Sequence, residues 1–182
     1  MAVLIDSYMG ASNVSSYMGS ATLAYGQSFT TTSGILRLDS CVFRARREGS
    51  PTGNVYAKVY AHTGTYGTSS LPTGSVLATS DAIDVSTFNS LNVANVTFTF
   101  SGANRINLSA STYYVVTLEH TGTDNDNCVV IAMTGITASH EGNACSYFLG
   151  NWEAESFDLY FAVYGVGPIV GQRYPLPAFK NG

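Results

Sequence analysis

The sequence predicts an all-β fold: a two-sheet antiparallel β-sandwich of jelly-roll type, with an extended N-terminal arm and a Pro-rich C-terminal tail. Three observations carry this. Apolar and polar residues alternate at period 2 in several stretches, the pattern of a strand with one buried face. No 11-residue window holds a convincing 3.6-residue period, so helix should be scarce. About ten such runs are joined by Gly, Ser and Thr loops, the spacing of a sandwich or barrel.

Residues 1–24 are small and polar and read as the arm. They contain a short echo, Ser7-Tyr8-Met9-Gly10 and Ser16-Tyr17-Met18-Gly19. Two copies are too few for a repeat architecture. As an arm, the segment would dock Tyr8, Met9, Tyr17 and Met18 on a neighbouring molecule.

The sandwich is placed at 25–165. Tyr25 to Thr30 opens it. Ile35 to Arg46 is a long strand with Cys41, Phe43 and Ala45 inward and Val42, Arg44 and Arg46 outward. Leu36 and Leu38 sit in the opposite phase, so a bulge or bend is expected near Asp39 and Ser40. Gly49-Ser50-Pro51-Thr52-Gly53 is a turn signal, because Pro presets φ and Gly accepts positive φ. Asn54 to Ala61 follows, with Val55, Ala57, Val59 and Ala61 on one face and Tyr56, Lys58 and Tyr60 on the other. A polar loop holding Tyr66 leads to short strands at Ser75 to Ser80 and Ala82 to Val85.

Val93 to Phe100 turns Val96, Phe98 and Phe100 inward. Arg105 to Leu108 is brief. Thr112 to His120 places Tyr114, Val116 and Leu118 on one face and Tyr113, Val115, Thr117 and Glu119 on the other. Cys128 to Met133 is nearly all apolar and suits a strand buried on both sides. Ala144 to Leu149 and Phe157 to Tyr164 complete the set, the latter with Phe157, Leu159, Phe161 and Val163 inward. The core should therefore include Val59, Phe98, Phe100, Val116, Leu118, Leu159 and Phe161. The tail, 166–182, interleaves Pro168, Pro175 and Pro177 with Ile169, Val170, Tyr174, Leu176 and Phe179. Proline this frequent breaks strands, and these apolar side chains need a surface, expected on a neighbouring subunit, with the chain's own sandwich as the alternative.

At 182 residues, with 45% apolar content, one domain can bury a sufficient core. Charged residues make up 11%, against roughly 25% in an average globular protein. Eight Lys and Arg and a net charge of −4 argue against duplex nucleic acid, which is held by neutralising phosphates. No stretch approaches the ~20 apolar residues of a membrane helix. The start, Met1 to Asp6, lacks the basic and apolar regions of a secretion signal, so folding in a cytoplasm is expected. Three cysteines, Cys41, Cys128 and Cys145, make an odd count. Buried reduced thiols are the expectation, with a Cys128–Cys145 bridge as the alternative.

The elements Gly26-Gln27-Ser28-Phe29, Gly49-Ser50-Pro51-Thr52-Gly53-Asn54, Ala57-Lys58-Val59-Tyr60-Ala61, Leu77-Ala78-Thr79-Ser80 and Val96-Thr97-Phe98-Thr99-Phe100 occur here in an order that resembles a group of β-sandwich domains. These are carbohydrate-binding-module-like jelly rolls found in tailed-phage structural proteins and environmental sequences. The resemblance covers Asp6 to Gly165 and transfers no ligand-binding residue. It implies a virion protein made in a host cytoplasm. Such a protein would be a capsid decoration, a head or tail fibre, or a tail accessory subunit. Its partners would be major capsid or tail proteins and further copies of itself, since symmetric assemblies bury arms between copies. The alternative is a carbohydrate-binding module displayed on a virion or cell surface and binding surface glycans. A glycan-cleaving enzyme is the outlier.

No catalytic motif is visible: there is no nucleophile elbow, HExxH helix or phosphate loop, and no cofactor is expected. Thr123-Asp124-Asn125-Asp126-Asn127 offers oxygens of the kind calcium takes, with Asp124 and Asp126 as the ligands. It lacks the Gly and terminal Glu of an EF-hand loop, so self-capping of the turn is expected instead. Among the aromatics, Trp152 in the expected loop Gly150-Asn151-Trp152-Glu153 and Tyr66 in the loop Gly64-Thr65-Tyr66-Gly67 are candidate glycan or interface platforms.

Overall fold

Period-2 side-chain placement decides which surface each strand offers, and the fold follows from stacking those surfaces. The computed structural model describes residues 2–10, 14–121, 124–135 and 139–167. The tail residues Ile169, Val170, Tyr174, Leu176 and Phe179 lie outside the described residues.

Fourteen strands are present among the described residues: β1 (Ala2–Tyr8), β2 (Val14–Met18), β3 (Thr22–Thr30), β4 (Leu36–Glu48), β5 (Asn54–Thr63), β6 (Leu71–Thr79), β7 (Ile83–Asp84), β8 (Ala94–Thr99), β9 (Asn107–Leu108), β10 (Tyr113–Glu119), β11 (Cys128–Met133), β12 (Ala144–Phe148), β13 (Asn151–Ala154) and β14 (Phe161–Val166). The described residues form no α-helix; single 3-10 turns occur at Val85–Thr87 and Gly102–Asn104. The first sheet runs β1-β14-β4-β11-β2, with β8 and β9 also on β4. The second runs β13-β12-β3-β10-β5-β6, with β7 on β5. Both sheets are antiparallel and curled, and they face one another as a sandwich of half-barrels.

The core lies between the sheets. Phe29, Tyr114, Val116 and Leu118 from the second sheet meet Phe43, Phe98, Leu159 and Phe161 from the first. All seven core residues expected from the sequence are fully buried. The strand Cys128–Met133 is buried along nearly its whole length, as its continuous apolar run requires.

The phase change in β4 resolves as a bulge. Tyr164 pairs with Ser40 and Gly165 with Leu38, leaving Asp39 unpaired on the longer side. That extra residue puts Leu36 and Leu38 on the same side as Cys41, Phe43 and Ala45, and all five are in the core. The Asp39 carboxylate, turned out by the bulge, pairs with Arg105 at 2.5 Å.

Several elements differ from the sequence reading. The described part of residues 1–24 does not stand off as an arm: β1 pairs with β14 and β2 with β11, forming the two outer strands of the first sheet, and β3 of the second sheet already begins at Thr22. A register shift between Leu4 and Asp6 lets Ile5 reach the core. Met18 is fully buried in that core, so within this fold it has no surface left for a neighbour. Trp152 is on a strand, not in a loop, because β13 returns antiparallel on β12 after Gly150 takes φ 90°. The last long strand begins at Phe161; before it, Leu159 makes a single bridge to Met133.

Candidate functional site

The outer side of the second sheet collects the residues of interest. Tyr56, Lys58, Tyr60 and His62 point outward from β5, and Tyr113, Val115, Thr117 and Glu119 from β10. The register sets Glu119 opposite Ala24, and Ala24 opposite Tyr147, which in turn faces Trp152 on β13. Neighbouring strands lie ~4.8 Å apart, so in a flat sheet β13 and β5 would be separated by about 19 Å. The Trp152 and Tyr60 ring centroids are 6.4 Å apart, edge to face, and Trp152 and Tyr147 are 5.2 Å apart. The curl of the sheet therefore makes this side concave and turns its walls toward each other.

The floor of the concavity is built from small side chains. Val115, Thr117 and Cys145 are fully buried there although they face away from the main core. A Cβ at Gly26 would stand 2.9 Å from the Cys145 Sγ and 3.0 Å from Thr117 Cγ2, so no larger residue fits without displacing its neighbours.

Glu119 stands at the centre. Lys58 Nζ donates to Glu119 Oε2 at 2.6 Å, while the hydroxyls of Tyr60 and Thr117 donate to Oε1 at 2.8 Å. Glu119 and Lys58 side chains are 18% and 27% exposed, so the pair is partly sheltered yet reachable. Burial, together with the hydrogen bond to the Glu119 carboxylate and its charge, holds the Tyr60 phenol well above its ordinary pKa. Two cavities open on either side of Glu119. One of about 300 Å³ is walled by Tyr60, Tyr147 and Trp152. The other, of about 240 Å³, is walled by Asn54, Tyr56 and Lys58.

Tyr66 lies on the same side of the sheet. Its ring stacks on Tyr113 at 4.1 Å and 14°, with His62 edge-on at 6.1 Å. His62 is two residues from Tyr60 on β5, so the two aromatic candidates, Trp152 and Tyr66, belong to neighbouring clusters on one face. The Tyr66 hydroxyl is buried without a hydrogen-bond partner among the described residues.

The other candidates have structural surroundings. The Asp124 carboxylate accepts from the Asn127 side chain and from the backbone N–H groups of Asn127 and Asp126, which lowers its pKa in that order of effect. Its oxygens close their own turn, and Asp126 supplies a backbone donor to it. Among the described residues no group of three or more His, Cys, Asp or Glu is arranged to hold a metal ion. Cys41, Cys128 and Cys145 are buried free thiols. Of the expected assembly contacts, Tyr8 is half-buried and stacks on Tyr160 at 5.3 Å. Tyr17 and Met9 are exposed.

A second titratable cluster ties β1 to the rest. Asp158, fully buried, accepts from Gln27 Nε2 and from the backbone N–H groups of Ser139 and His140. The backbone N–H of Gly142 donates to His140 Nδ1, so the ring carries its proton on Nε2 and donates it to Asp6 at 3.1 Å. The other Asp6 oxygen accepts from the Thr30 backbone. Every member faces a protein partner, as buried polar groups must, which suits a tie between elements.

Sequence reasoning found Trp152 and Tyr66, and it had the outward phase of Tyr60, Lys58 and Glu119. It did not assemble them, and Tyr147 became visible only through the β12 register. Comparison with protein-family models, curated proteins and solved structures finds no match. What is shown is the architecture alone, two curled antiparallel sheets in a β-sandwich.

Proposed function

We propose that this chain is a non-enzymatic binding module that holds a glycan on the concave side of its second sheet. One observation carries the reading: Trp152, Tyr60 and Tyr147 converge beside the Lys58–Glu119 pair. A sugar ring offers apolar C–H faces and a rim of hydroxyls. Aromatic rings take the faces, and a few fixed polar groups take the hydroxyls. The test is binding of the purified protein to an array of glycans, wild type against Trp152→Ala. Sugar-specific retention that falls at least tenfold in the variant supports the reading. Retention unchanged by the substitution counts against it.

A second reading is favoured by a separate observation. The outer strands of the first sheet carry exposed apolar side chains, Val3 and Leu4 on β1 and Val14 and Tyr17 on β2, with Met9 just beyond β1. This supports a virion structural subunit of a tailed phage, attached to capsid or tail proteins or to copies of itself, as the resemblance implies. The two readings are compatible in a glycan-binding module carried on a particle. Co-purification with phage particles, weakened by Leu4→Asp together with Tyr17→Asp, would favour the second. Retention of particle attachment in that double variant would remove its support.

A further inference from the structure

We infer that the ligand is an uncharged chain of two or more sugar residues, lying across both cavities with Glu119 under the junction. The inference rests on the glycan reading above and says which glycans fit it.

Space comes first. The two cavities share Glu119 and Thr121 as a common wall. Ligand clefts run from roughly 300 to 1,000 Å³. At about 300 and about 240 Å³, neither cavity alone exceeds the floor of that range, while the two joined fall inside it. A single ring occupies one of them. A chain passing over Glu119 occupies both.

Chemistry along the path changes in the way a chain would use. The first cavity offers three aromatic rings for stacking. The second offers the Asn54 amide, the Tyr56 ring and hydroxyl, and Lys58. Between them, the Glu119 carboxylate has about four acceptor sites, and three are met by Lys58, Tyr60 and Thr117. Lys58 has three N–H donors, one of them used on Glu119. A ligand hydroxyl at the junction can therefore donate to the remaining acceptor site of Glu119 and accept from Lys58. Few other functional groups both give and take a hydrogen bond at one atom, and sugars present them in series.

Charge decides the class. Lys58 and Glu119 compensate one another at 2.6 Å. A uronate at the junction would set its carboxylate against that of Glu119, and an amino sugar would compete with Lys58. Either leaves a partly buried charge less well paired, which is costly. An uncharged chain disturbs neither.

The experiment uses the intact protein against neutral gluco-, manno-, galacto- and xylo-oligosaccharides of one to six residues, with oligogalacturonates alongside. Affinity in the bound series should rise at least tenfold from monosaccharide to trisaccharide. Tyr56→Ala should remove that gain, bringing trisaccharide affinity close to that of the monosaccharide, and Tyr56→Phe should keep most of it. Trp152→Ala should weaken every length. Equal affinity for one and three residues, preference for the uronates, or a trisaccharide gain untouched by Tyr56→Ala would overturn the inference while leaving the glycan reading in place. Binding of no sugar at all would overturn both. Melting temperatures of the variants separate lost binding from lost folding.

Discussion

Trp152 and Tyr60 sit four strands apart in the same sheet, yet their rings meet edge to face at 6.4 Å. Trp152 is the only tryptophan in the chain, so this contact has its own spectroscopic reporter. Addition of a bound oligosaccharide should shift and change the intensity of tryptophan emission, and Tyr60→Ala should alter the emission of the free protein. An emission spectrum indifferent to saturating ligand would place the ligand away from Trp152.

The Tyr60 phenol gives a pH dependence whose sign is fixed. Its pKa in the folded protein is raised from 10.0 by burial and by Glu119. The unfolded chain therefore loses this proton first. The contribution is fully present below pH ~10 and is lost as pH rises from there through the folded-state value. Glu119→Gln should lower the Tyr60 pKa and so reduce the loss. Chemical unfolding at pH 8, 10 and 11, wild type against the variant, checks both; equal pH slopes would contradict the assignment.

Phe98 is fully buried and meets Phe43 and Phe88 edge-on at 6.4 and 6.5 Å. Phe98→Ala should cost about 3–5 kcal/mol, read from urea unfolding. A cost below about 1 kcal/mol would mean the site collapses without strain, at odds with this packing.

Tyr17 and Met18 are consecutive on β2 and face opposite ways, 51% and 0% exposed. Met18→Ala should cost about 2–5 kcal/mol, while Tyr17→Ala should stay within about 0.5 kcal/mol. The reverse order would return β2 to a role outside the sandwich.

What the sequence revealed depended on how much each strand states locally. β5 and β10 were legible because Val55, Ala57 and Val59, or Tyr114, Val116 and Leu118, repeat the same phase several times. The Asp39 bulge was legible because the phase visibly switches between Leu38 and Cys41. β1 and β2 were not, since each sends little apolar surface inward: Ile5 alone from β1, and Met18 from β2, are in the core. Their stability comes from ladders to β14 and β11, which are distant in the chain. Trp152 was read as a loop residue because its strand is four residues long and mostly exposed. The cleft could not be read at all, because the curl that joins β13 to β5 belongs to the sheet and to no single strand.

The pairing of Ala2 with Val166 also sets an order of events. The β1 strand leaves the ribosome long before the strand it pairs with, and β14 also separates it from β4. Contacts this distant in sequence make folding slow, since the connecting chain must be closed before they form. β1 thus waits for a partner strand made long after it. In the interval the β14-facing side of β4 is uncovered, and it is there that a crowded or fast-translating cell would divert this protein into aggregates.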